Sequence, residues 1–143
     1  MLMAMATGRP PTEFRPGILD AMQLFDMDIA GAVAVEISRL WETKPAVAPV
    51  DAGVALDVYL APAGLFRGPN ALSQAFPQGY REIAGWLSPG MTWACWRYRP
   101  AGASRGILYD GLVRVQGRWI WIPKPWRLIP AAVETGRELR GKR

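Results

Sequence analysis

The chain has no histidine and only one cysteine. Without histidine it lacks the commonest general base, the usual switch near neutral pH and the most frequent metal ligand. One cysteine excludes an intramolecular disulfide, and Cys95, between Trp93 and Trp96 on a strand-like run, reads as a buried, inert thiol. Lysine is scarce, at 3 residues against 14 arginines. A GC-rich genome produces that bias as readily as a demand for guanidinium chemistry, so it carries no functional weight. No long uninterrupted apolar run occurs either. The longest apolar-rich stretch, Ile18 to Trp41, is broken by Asp20, Asp26, Asp28, Glu36 and Arg39, each expensive in a bilayer core, which predicts no membrane span. The opening Met1-Leu-Met-Ala-Met-Ala has no basic segment before it and no long apolar run after it, which makes a poor secretion signal, and a cytoplasmic location is expected. A glycine-rich phosphate loop, a nucleophile elbow, paired cysteines and acids at metal-ligand spacing are all missing, so neither cofactor nor metal is expected. The Gly64–Gly68 and Gly102–Gly106 pairs lack the strand-to-helix setting of a phosphate cradle.

What is present suits one compact domain. With 143 residues the chain can bury roughly two thirds of its unfolded surface. Half of its residues are apolar and a fifth charged, a globular rather than a disordered balance. Charge is unevenly distributed. Residues 1–80 hold 5 basic and 8 acidic side chains, net minus three, and residues 81–143 hold 12 basic and 4 acidic, net plus eight, which together give the overall plus five. The tryptophans concentrate in the basic half.

The most informative stretch runs from Gly106 to Ile129. Gly106–Val115 reads as one strand, Gln116-Gly117 as a tight turn, and Arg118–Ile129 as the returning strand. On the second strand Trp119 and Trp121 share one face while Ile120 and Ile122 share the other, so both faces are apolar and both need cover. Pro123 and Pro125 cannot donate to a ladder, which makes this an edge strand or one that leaves the sheet near Pro123.

Upstream, Ile18, Leu19, Met22 and Phe25 predict a short helix. Asp26 or Asp28 is placed to cap a longer one, whose apolar stripe is Ile29, Val33, Ile37, Leu40 and Trp41. Val54–Leu60 alternates as a strand, Ala71–Phe76 and Tyr80–Leu87 read as helices split by Pro77 and Gly79, and Met91–Arg99 is the first of three long strands. The fold class predicted is α+β, with N-terminal helices packed on a curved antiparallel sheet whose last three strands form a meander, in a cone-like arrangement. The expected organisation is a flexible N-terminal arm over 1–16, a single α+β domain over 17–130, and a basic C-terminal tail over 131–143 with too few apolar residues to pack tightly.

This order of elements, with Phe66-Arg-Gly-Pro-Asn-Ala-Leu72 ahead of a helix and the closing Tyr109-Asp-Gly-Leu-Val-Arg-Val-Gln-Gly-Arg-Trp119 hairpin, resembles the nuclear transport factor two-like superfamily of α+β cones, the superfamily of ketosteroid isomerase-type folds. The resemblance spans roughly Ile18 to Ile129. It implies a cone with a ligand-sized mouth. That superfamily includes isomerases, cyclases, dehydratases, transport factors and immunity proteins, so it does not fix an activity. No residue here matches a family catalytic motif closely enough to take over a role.

Three function classes compete. Asp57 and Asp110 sit on otherwise apolar strands, where a dry carboxyl can shuttle protons with Tyr59, Tyr80 or Tyr109 as hydrogen-bond donor; equally, Asp110-Gly111 marks a bulge and Asp57 a solvent-facing acid. The basic and aromatic series Trp93, Trp96, Arg97, Arg99, Arg114, Arg118, Trp119, Trp121, Lys124, Trp126 and Arg127 suits single-stranded nucleic acid, although strand alternation puts indoles and cations on opposite faces. The reading favoured by sequence is non-enzymatic binding, with Trp119, Trp121, Lys124, Trp126, Arg127, Arg97 and Arg99 contacting a protein partner or a second copy of the chain. A small apolar ligand in a cone-type enzyme comes second and nucleic acid third. A pocket containing Asp57 or Asp110 would favour the small molecule.

Overall fold

A computed structural model describes residues 12–46, 54–100 and 102–141. Helix α1 is Ile18–Leu24 and α2 is Ala30–Glu42; strand β1, Ala55–Pro62, is followed by two short helices, α3 (Ala71–Ala75) and α4 (Gly79–Glu82). Strands β2 (Thr92–Arg99), β3 (Ile107–Val115) and β4 (Arg118–Trp121) then complete an open antiparallel sheet in the order β1-β2-β3-β4, and α5 (Ile129–Gly141) ends the chain. The fold is α+β with N-terminal helices, as the sequence predicts, and no described helix is long and apolar enough to cross a membrane.

The hairpin has its predicted chemistry. Gln116 and Gly117 both take positive φ, 49° and 79°, the mirror-image turn whose twist matches two antiparallel strands. Ile120, Trp121 and Ile122 are all buried, so both faces of the returning segment are covered. Its length is overpredicted. β4 stops at Trp121 rather than running to Ile129, because Pro123 ends the ladder and Pro125–Arg127 turns into a short 3-10 helix. The 131–143 region also differs from expectation: through 141 it is α5, which packs on α2 and buries Ile129 and Ala132. One turn of apolar contact at its start is enough to dock a helix that is polar further on.

Two helix readings are corrected. In α2 the predicted stripe is right, with Ile29, Val33, Ile37 and Trp41 buried, but the N-cap position belongs to Ile29, which makes no side-chain cap bond, rather than to Asp26 or Asp28. The Asp26 side chain instead accepts from Asp28 N at 2.9 Å, and its carbonyl takes the first helical amides, from Ile29 and Ala30. In α1 the apolar row Ile18, Leu19 and Met22 faces solvent, and the buried residues are Asp20, Ala21 and Leu24. Asp20 turns inward to accept from Gly17 N at 2.7 Å and from Arg118 Nη2 at 2.6 Å, tying α1 to β4. Periodicity alone does not reveal a buried ion pair that overrides the hydrophobic row. Of the predicted arm, residues 1–11 lie outside the described residues, while Thr12–Phe14 forms a 3-10 turn with Phe14 buried.

Candidate functional site

Gly111 organises the site. β2 pairs Ala94 with Leu112 but Cys95 with Asp110, so β3 carries one extra residue, Gly111, as a bulge. Its φ of +94° and the close approach of the Ile122 backbone admit no side chain. The bulge reverses the alternation: Asp110 falls on the face of Cys95, whereas Leu112 falls on the face of Ala94 and Trp121. Asp110 is thereby aimed at α4, where Tyr80 Oη donates to its Oδ1 at 2.8 Å.

A second consequence follows from Pro123. β4 pairs only with Leu112–Val115, so when it departs the β3 edge from Ile107 to Asp110 has no β4 residue beside it. A cleft of about 350 Å³ occupies that place. Its walls are the end of α2 (Leu40, Thr43), Pro45 and Ala46, the β3 edge, and the Pro123–Leu128 turn. The most buried lining residues are Trp121 and Asp110, at 2% and 5% exposure; Thr43, Ile107, Lys124 and Arg127 are exposed at the rim.

Hydrogen bonds fix this floor. Trp41 Nε1 donates to the Trp121 carbonyl at 3.0 Å, Trp121 Nε1 donates to the Asp110 carbonyl at 2.8 Å, and the Lys124 amide donates to Asp110 Oδ1 at 2.9 Å. That last bond holds Lys124 in a left-handed conformation, φ 51°. Asp110 Oδ1 thus receives two donors, and no described group bonds Oδ2. Burial pushes the Asp110 carboxyl above its ordinary 3.8, against the opposing pull of the Lys124 amide, the Tyr80 hydroxyl and the charges of Lys124 and Arg127. Burial, together with the Asp110 charge and hydrogen bond, pushes the Tyr80 phenol well above 10.0. Burial also pushes the Cys95 thiol up to about 12, so Cys95 is a protonated, weak donor to the Ala75 carbonyl and no nucleophile.

The sequence-predicted residues separate into groups. Asp110 and Tyr80 meet, and Tyr109 lines the same cleft while stacking on Trp96. Asp57 and Tyr59 do not join them. Asp57 forms a forked ion pair with Arg99, at 2.5 Å and 3.2 Å, which holds its carboxyl below 3.8. Of the predicted binding set, Trp121, Lys124 and Arg127 line the cleft. Trp126 is a packing residue, its ring on Gly79 and 5.5 Å from Tyr80. Trp119 is half-buried on β4, and Arg97 and Arg99 are half-buried on the face of β2 away from Trp121. The set is therefore not one exposed surface. Trp93 and Trp96 are fully buried, which removes them from any base-stacking platform. Leu40, Thr43, Ile107, Leu108 and Leu128 belong to the cleft without any sequence signal, because each looks like ordinary core or loop until α2 and the β3 edge meet.

No protein-family model, no curated protein and no solved structure matches the chain.

Proposed function

We propose that this is a small-molecule-binding protein whose ligand has an apolar, ring-sized body and an anionic group. The observation that carries this reading is the cleft itself. A floor of Trp121 and Asp110 is immobilised by hydrogen bonds, its walls are Leu40, Leu108, Tyr109 and Leu128, and two cations, Lys124 and Arg127, stand at its rim. Its volume of about 350 Å³ lies at the small end of ligand pockets, about 300–1,000 Å³. Such sites bind through apolar burial and select through a few fixed polar groups. Here the ligand's anion meets Lys124 and Arg127, and a donor on its body meets Asp110 Oδ2. Calorimetric titration with naphthoate, and with neutral naphthylmethanol as comparison, tests the proposal. Naphthoate is expected to bind at least tenfold more tightly, and Lys124→Ala with Arg127→Ala is expected to abolish the difference. Equal binding of the two compounds, or no binding of either, contradicts it.

A second reading is favoured by one observation: Asp110, its carboxyl raised by burial and paired with Tyr80, lines the cleft. On that basis Asp110 exchanges a proton with a bound carbonyl compound, in keeping with the isomerases and cyclases of the superfamily that the chain resembles. Asp110→Asn would then remove turnover of cyclic ketones and leave their binding intact.

A further inference from the structure

We infer that the free edge of β1 pairs with β1 of a second copy of this chain, antiparallel about Val58, so that two four-stranded sheets join into one of eight strands. This surface is separate from the cleft and does not depend on the ligand proposal.

The backbone comes first. β1 is the first strand of the sheet order, with β2 on one side and no described strand on the other. Its register with β2 sums to one constant, Ala61 opposite Trp93 and Pro62 opposite Thr92, and the next pair is marked by the Ala63 amide donating to the Met91 carbonyl at 2.9 Å. In an antiparallel ladder alternate residues exchange both bonds with their partner. Residues 55, 57, 59 and 61 therefore point their amides and carbonyls at β2, and Leu56, Val58 and Leu60 point theirs outward. Pro62 fits the same parity, since its missing N–H falls on the outer side.

The side chains agree with the backbone. Leu56, Val58 and Leu60 are exposed, at 40%, 43% and 50%, although they are the most apolar residues of β1, and Pro62 at its end is exposed with them. They lie beside buried Tyr98, Trp96 and Ala94 of β2, so the row continues a packed apolar face instead of ending in charge. Proteins blunt such edges with lysine, a central proline or a bulge. β1 has no lysine and no bulge, its one proline is at the end, and its only charged residue, Asp57, is paired with Arg99. The row is symmetric under a two-fold axis: Val58 meets Val58 of the other copy, and Leu56 meets Leu60 in both directions. Six backbone hydrogen bonds result, the three hydrogen-bonded pairs are apolar, Asp57 stands opposite Tyr59 of the other copy in the pairs between them, and no like charges are opposed. A foreign strand would gain the same backbone bonds, but only a second copy brings the matching pattern by symmetry.

The interface is small and belongs to the weak, transient class, so association is read across micromolar to high-micromolar concentrations. Each copy carries a net charge of plus five, so added salt screens repulsion and tightens the pairing, the reverse of a charge-driven contact. Sedimentation analysis of the full chain is expected to give a concentration-dependent rise from 15.8 kDa toward twice that mass. Val58→Lys is expected to weaken association at least tenfold. Val58→Pro removes an outward amide only; it is expected to leave the circular dichroism spectrum unchanged and to give a monomer. Should the proline variant fail to fold, Leu60→Lys takes its place. For register, Val58→Cys is expected to cross-link to a covalent dimer under mild oxidation, while Leu60→Cys, whose counterpart lies several residues away along the partner strand, does not. A wild-type chain that stays monomeric at every concentration overturns the inference. So does a dimer that survives both Val58→Lys and Leu60→Lys, or cross-linking at Leu60 in place of Val58.

Discussion

Asp110 serves two ends at once. Its side chain accepts from Tyr80 and the Lys124 amide, its carbonyl accepts from Trp121, and it lines the cleft. Truncation to Ala leaves a fully buried phenol and a backbone amide without an acceptor, a loss of about 2–4 kcal/mol. Asn keeps an oxygen in place and is milder. The pH dependence has a definite sign. Because burial raises the folded pKa above 3.8, the folded state holds the proton longer than the unfolded chain. The contribution of Asp110 to stability is thus greatest below 3.8 and declines as pH rises through the folded value. Asn cannot titrate. Thermal unfolding of Asp110→Asn is therefore expected to improve relative to the parent as pH rises through that window, and a difference constant with pH would contradict the burial of this carboxyl. Asp57 acts oppositely: its hydrogen bond with Arg99 lowers its pKa, so its contribution is present above 3.8 and is lost on acidification.

Among the elements, α1 shows how one ion pair sets the orientation of a helix. Asp20 is buried at the helix start, while its partner Arg118 is half-exposed on β4. Removing Arg118 leaves a buried carboxylate with one backbone donor, so Arg118→Ala is expected to cost about 1–3 kcal/mol, more than its exposure suggests. Asp20→Asn removes the charge that makes this costly. The double variant is expected to lose less stability than the sum of the two singles in urea denaturation, and strict additivity would contradict the coupling. The same element shows where reading a sequence stops. α2, the three strands of the meander and the Gln116-Gly117 turn were legible because each rests on local chemistry: a stripe at helical spacing, alternation, and two positive-φ positions. The outward apolar row of α1 was not, because a contact 98 residues away decides it. α5 was underestimated for a related reason: Ile129 and Ala132 suffice to dock it only because α2 lies there to receive them.

For the whole molecule, the site arises where several features of the basic half converge. Asp110 and Gly111 announced a bulge, and Pro123 announced the end of a strand, so two of the conditions for a cleft were legible. Neither told that the end of α2 would form the facing wall, and the Trp and Arg residues predicted as one binding surface are divided between core, cleft and opposite sheet faces. Trp121, Lys124 and Arg127 line the cleft only because the departing β4 leaves the β3 edge uncovered beside them. The most direct measurement is a backbone-amide and indole NMR titration with naphthoate. The account predicts shifts confined to Ile107–Asp110, the Trp121 indole N–H, Lys124, Arg127 and Leu128, with β1 unmoved. Shifts centred instead on Leu56–Leu60 or on the outer row of α1, with the Trp121 indole unchanged, would contradict it.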